Sequence, residues 1–130
     1  MIVLDASIVV ELLTNGVLAD SLRREIAASG DSLIVPHLLD VEVMSALRSL
    51  VAGDRISPHL GEELIGVLSA LRAERCSHTP LLGRIWELRH NFTAYDAAYV
   101  ALAELTDSVL YTSDQKLCKG HRARVVLFAP

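Results

Sequence analysis

Four acidic residues stand where solubility alone explains them poorly: Asp5, Glu42, Asp96 and Asp114. Asp96 is the clearest. It opens an apolar helical stretch, NFTAYDAAYVALAE, in which Ala97, Ala98, Val100, Ala101, Leu102 and Ala103 suit a helix buried on most sides. Asp5 closes the apolar run Met1–Leu4, and Asp114 follows the run SVLY after Thr112 and Ser113. Glu42 flanks an apolar stripe built from Leu39, Val43, Ala46, Leu47 and Leu50. Each acid has an ordinary explanation: turn former for Asp5, solvent-edge residue for Glu42, capping box with Thr93 for Asp96, helix N-cap for Asp114. Asp40 flanks the same stripe as Glu42, and periodicity does not separate the two.

Convergence changes the chemistry. Two unit charges about 4 Å apart repel by about 4 kcal/mol at an effective dielectric of roughly 20, so clustered carboxylates need protons or cations between them. Hard oxygen ligands with no Cys or His cluster favour magnesium or manganese over zinc. Such an ion keeps water and open positions, which suits hydrolysis of a phosphodiester. Ser7, Thr112 and Ser113 carry hydroxyls near the same positions and would support the acids, although Ser7 and Ser113 also fit as helix caps. His37 and His90 lie near expected helix ends and offer no clear general base.

The elements that would position these residues alternate. Strands are expected at Met1–Leu4, Ser32–Val35, Ser108–Tyr111 and Val125–Phe128. Helices are expected over Ile8–Leu13 with Ser7 as cap, Leu18–Ala28 ending at Gly30, His37–Val51, Pro58 to about Glu74, Pro80 to about His90, the central stretch after Thr93, and a short one reaching Lys119. This order predicts an α/β three-layer sandwich, a short parallel sheet with helices on both faces. Acids at the carboxyl ends of strands and at the starts of the following helices then share one crevice.

The chain of 130 residues is expected to form one domain, residues 1–130, with an aliphatic core, since 52% of residues are hydrophobic but only 5% aromatic. No apolar run reaches the roughly 18 residues of a membrane span, and Asp5 and Glu11 replace the basic start of a signal peptide, so a cytoplasmic protein is expected. Cys76 and Cys118 have no disulfide or zinc spacing. A net charge of −4 argues against gripping nucleic acid through bulk electrostatics. Basic residues are local: Lys116, Lys119, His121, Arg122 and Arg124 near the end, Arg84 and Arg89 before the central helix.

Four segments in this order, MIVLDASIVVELL, VEVMSAL, TAYDAAYVALAEL and VLYTSDQKL, resemble the PIN-domain ribonucleases, in particular the VapC-type toxins of toxin–antitoxin pairs. The resemblance implies that Asp5, Glu42, Asp96 and Asp114 are catalytic, metal-binding acids, and it selects Glu42 over Asp40. It implies a PIN-like fold, Mg2+ or Mn2+ as cofactor, RNA as substrate, Ser7 and Thr112 in support, a homodimer, and a VapB-type antitoxin whose C-terminal segment covers the acidic pocket. Where some relatives carry a further acid after the last one, this chain has Gln115 and Lys116, which bears on a second metal position. Arg84, Arg89, Lys116 and Lys119 are expected to form a rim for RNA.

Other readings fit less well. A phosphoacceptor receiver domain wants paired acids after its first strand, and an aspartyl phosphohydrolase wants DxD where this chain has Asp5 and Ser7. A catalytically silent PIN fold that only binds RNA or protein is the alternative.

Overall fold

A computed structural model of the chain describes residues 1–130. Its first strand, β1 (Ile2–Leu4), is buried along its whole length, as the centre of a parallel sheet requires. The chain continues through α1 (Ala6–Leu13), α2 (Ala19–Ser29), β2 (Leu33–Pro36), α3 (Leu38–Ala52), α4 (Pro58–Ser69) and β3 (Glu74–Cys76). A 3-10 turn at Thr79–Leu81 runs into α5 (Leu82–Glu87), followed by α6 (Ala94–Leu105), β4 (Val109–Thr112), a second 3-10 turn at Gln115–Cys118, and β5 (Arg124–Leu127).

All strand pairs are parallel, in the order β3-β2-β1-β4-β5. The chain steps outward from β1 through β2 to β3, then returns to the other side of β1. Right-handed crossovers place α1 to α4 on one face of the sheet, and the returning crossover places α5 and α6 on the other. Both faces are therefore covered, as expected. The reversal between β1 and β4 is the switch point where open α/β sheets bind ligands, and Asp5 lies at its carboxyl edge.

α6 runs through the core with seven consecutive buried residues, Ala97–Ala103. Small alanines let the helix lie close to β1, β2 and β4. Gly30 ends α2 at φ 66°, a left-handed turn that glycine adopts without strain.

The expected strands recur within a residue of their expected ends, but one further strand appears and three helix ends differ. The fourth helix stops at Ser69 rather than near Glu74, because Glu74–Cys76 pairs with β2 as an edge strand. Glu-Arg-Cys has no apolar run, and a partly exposed edge needs none. The fifth helix ends at Glu87, short of His90. α1 begins before Ser7 and is capped by Asp5, whose Oδ1 accepts from the Ile8 N–H. α3 has no side-chain cap of its own; His78 supplies one from the loop after β3, its Nε2 accepting the Leu38 N–H at 3.0 Å. Both cysteines are free.

Candidate active site

Asp5 sits one residue beyond β1, only 5% exposed. Its N–H donates to the Tyr111 carbonyl at 3.2 Å, and the register that pairs Leu4 with Tyr111 sets Thr112 beside it. The Thr112 hydroxyl donates to Asp5 Oδ2, while the Ser7 hydroxyl donates to Oδ1 at 2.6 Å. Both hydroxyls also accept. Ser7 Oγ takes the Ser113 N–H at 3.2 Å, and Thr112 Oγ1 takes the Asp114 N–H at 2.9 Å. Two hydroxyl bridges thus clasp Asp5 to the loop that carries Asp114. Ser7 and Thr112 stand where the sequence suggested; Ser113 takes part through its backbone, and its side chain is exposed.

Glu42, in the second turn of α3, is half-buried, and its Oε1 accepts the Tyr99 hydroxyl at 2.6 Å. Asp40 points elsewhere. It receives the Arg75 guanidinium on both oxygens, at 3.0 and 3.1 Å, which accounts for it as a structural acid. Periodicity left Asp40 and Glu42 alike; the structure gives Asp40 a partner on a strand that periodicity did not reveal. Tyr99 itself was missed, since a tyrosine in an alanine-rich helix reads as core.

Asp96 lies in the first turn of α6, whose N-cap is Thr93. The Thr93 hydroxyl accepts the Asp96 N–H at 3.1 Å, which is one half of the expected capping box. The Asp96 carboxylate makes no bond to the helix backbone in return. Asp114 caps the second 3-10 turn by accepting the Lys116 N–H at 2.9 Å, and Lys116 Nζ stands 3.7 Å from its other oxygen.

Electrostatics tie the four together. Burial first, and then the charge of Asp114, push Asp5 above its ordinary range despite the bonds from Ser7, Thr112 and Ile8. Burial raises Glu42, as do Asp96 and Asp5, against the tyrosine bond. Burial and Asp114 raise Asp96, with Lys116 easing its charge. These repulsions close a ring of four acids drawn from four separate segments, with one lysine among them. The acids interact through space: no three His, Cys, Asp or Glu side chains stand close enough to enclose an ion as placed. An all-carboxylate donor set in this charge excess nonetheless fits a hard divalent cation that keeps part of its water shell.

The basic residues divide. Arg84 donates to both oxygens of the nearly buried Glu104, at 2.9 to 3.2 Å. Burial works against the Glu104 charge, but Arg84 and Arg122 outweigh it and hold its carboxyl below the ordinary range. Because Glu104 lies two turns and more beyond Asp96 along α6, Arg84 belongs to the far end of that helix. Its guanidinium is engaged there by Glu104, away from the acids beside which the expected rim would lie. Arg89 is exposed and stacks over Trp86 at 4.4 Å, Lys116 is exposed beside the acids, and Lys119 is exposed at the end of the second 3-10 turn.

The PIN domain pattern matches residues 2–122. VapC ribonuclease Mb0985 of Mycobacterium bovis is 41% identical over 124 residues, 95% of this chain and 94% of that protein. The chain belongs to the PIN-domain family of VapC ribonucleases. Its fold agrees with solved structures of that kind. VapBC2 from Rickettsia felis bound to a DNA fragment from their promoter superposes with a TM-score of 0.74 at 12% identity, covering 99% of this chain and 100% of that one. A toxin–antitoxin complex from Klebsiella pneumoniae gives 0.72 at 19% identity, covering 97% and 96%. In this VapC-family chain the strand-end acid, the two hydroxyls and the central-helix acid all fall within the PIN match, as do Glu42 and Asp114. No helix is long and apolar enough to cross a membrane.

Proposed function

We propose that Asp5, Glu42, Asp96 and Asp114 hold Mg2+ or Mn2+ and that the protein hydrolyses RNA phosphodiester bonds as the toxin of a toxin–antitoxin pair in the cytoplasm. The observation that carries this reading is the ring of four mutually repelling carboxylates at the switch point of the sheet, with Lys116 the only cation beside it. When bound, the ion supplies Lewis acidity toward a phosphate oxygen and makes a water acidic enough to attack at neutral pH. The protein's part is placement. Ser7 and Thr112 fix both oxygens of Asp5 and keep Asp114 at a constant distance from it. Asp96 projects from a helix locked in the core, which fixes its backbone while its carboxylate stays free to turn toward an ion. Lys116 beside the acids, Lys119 at the end of the second 3-10 turn and Arg89 in the segment before α6 supply the cationic contacts for the RNA backbone.

A VapB-type antitoxin, binding so that its C-terminal segment covers the acids, and a homodimer of this chain complete the proposal. The likeness in fold to a toxin–antitoxin complex from Klebsiella pneumoniae supports a cognate antitoxin.

The test is cleavage of a mixed RNA pool by purified protein with magnesium or manganese, against EDTA and against Asp96→Asn. Asparagine keeps the shape and removes the charge. Metal-dependent cleavage that falls at least about 100-fold in the variant is expected. Unchanged cleavage by a folded Asp96→Asn protein would place the chemistry elsewhere, and metal binding without cleavage of any RNA would favour the binding-module reading.

A further inference from the structure

α6 delivers two groups to the same side of the molecule: Asp96, and three residues on, Tyr99. Tyr99 is the only residue of the buried run Ala97–Ala103 with a polar side chain, and it is 2% exposed. Its ring fills core space that a phenylalanine would fill equally well. What phenylalanine lacks is the hydroxyl, whose one hydrogen bond goes to Glu42 Oε1 at 2.6 Å. That bond joins residues 57 apart and spans two helices from different crossovers.

Glu42 needs such a restraint. It is long and half-exposed, it is repelled by Asp96 and Asp5, and it borders an open groove lined by Val41, Ser45 and Tyr95. Left alone, it would turn away from the other acids into that groove. Asp5 and Asp114 are fixed by backbone and hydroxyl bonds at their own strand ends, whereas Glu42 has no bond from its own helix or a neighbouring loop. We infer that Tyr99 is a positioning residue that binds one oxygen of Glu42 and leaves the other facing the acidic crevice for the divalent ion. This rests on the metal reading above and extends it to a residue outside the acids. α6 thereby contributes one ligand directly and aims a second one carried by α3.

A double-mutant cycle separates aiming from general stabilisation. Manganese affinity is measured by titration calorimetry for the wild type, Tyr99→Phe, Glu42→Ala and the double variant, with RNA cleavage and thermal melts alongside. Tyr99→Phe is expected to fold, to weaken manganese binding roughly 10-fold, and to have less than about 2-fold effect once Glu42 is alanine. An equal loss in both backgrounds would mean that Tyr99 acts on the fold and not through Glu42, which overturns the inference. So would full manganese affinity in a folded Tyr99→Phe protein. A wild type that neither binds manganese nor cuts RNA overturns the metal reading and this inference together. A wild type that does both while Tyr99→Phe is unaffected overturns the inference alone.

Discussion

Asp96 is the least restrained of the four acids. The Thr93 hydroxyl and Lys116 ease its charge, while burial and Asp114 raise its pKa above the ordinary 3.8. The folded state then binds this proton more tightly than the unfolded chain does. The resulting stability is complete below about pH 4 and is lost as pH rises through the raised value. Asp96→Asn should therefore melt higher than the wild type without metal, by a difference that widens from about pH 4 to pH 7 and closes when manganese is added. Solvent screens a half-exposed group, so the gain is expected to stay at roughly 2–4 °C. Melts in EDTA and in manganese across that range check it; a pH-independent difference would refute it. At this scale the sequence showed the acids well, because a charge inside an apolar pattern is conspicuous. It did not show Tyr99, whose hydroxyl matters only for what it meets across the fold. Nor did it show that Arg84 is spent on Glu104.

Among the elements, β3 contributes most beyond its size. Arg75 forks onto Asp40 and also donates to the carbonyls of Leu68 and Leu71 at 2.9 Å, so one side chain from an edge strand closes the end of α4 and ties it to α3. Arg75→Met should cost about 1–2 kcal/mol, since it breaks the pair with a part-exposed acid and frees the carbonyls of Leu68 in α4 and Leu71 just beyond it, yet leave manganese affinity within about 2-fold. Denaturant unfolding with calorimetry tests this; unchanged stability with a lost metal site would show that Arg75 serves the acids instead. The helices and four strands were readable from caps, prolines and apolar runs. β3 was not, because a three-residue edge strand is specified by pairing with Ile34, Val35 and Pro36 rather than by its own pattern. With it, the arginine that engages Asp40 stayed hidden.

For the molecule as a whole, a net charge of −4 and the engagement of Arg84 and Arg75 in ion pairs leave few cations for RNA. With Lys116, Lys119 and Arg89 as the phosphate contacts, the slope of log affinity against log salt for single-stranded RNA should be only about −2, and Lys116→Glu should flatten it further. Filter binding in EDTA at several salt concentrations would test this, and a slope steeper than about −5 would require a basic surface other than these three residues. The sheet order and the crevice followed from the alternation of elements, since right-handed crossovers leave little choice of topology.

The clasp between Thr112 and Asp5 joins residues 107 apart. A polypeptide grows from its N-terminus, so Asp5 is made before Glu42, Asp96 and Asp114, and Asp114 last of the four. The ring of acids therefore cannot exist before Asp114 has been made. A nascent chain carries one acid, then two, then three, but β4 must emerge and dock beside β1 before the fourth joins them. For an enzyme proposed to cut RNA, this ordering keeps the ribosome and the message being read beyond the reach of an assembled site until β4 and the loop after it have been made.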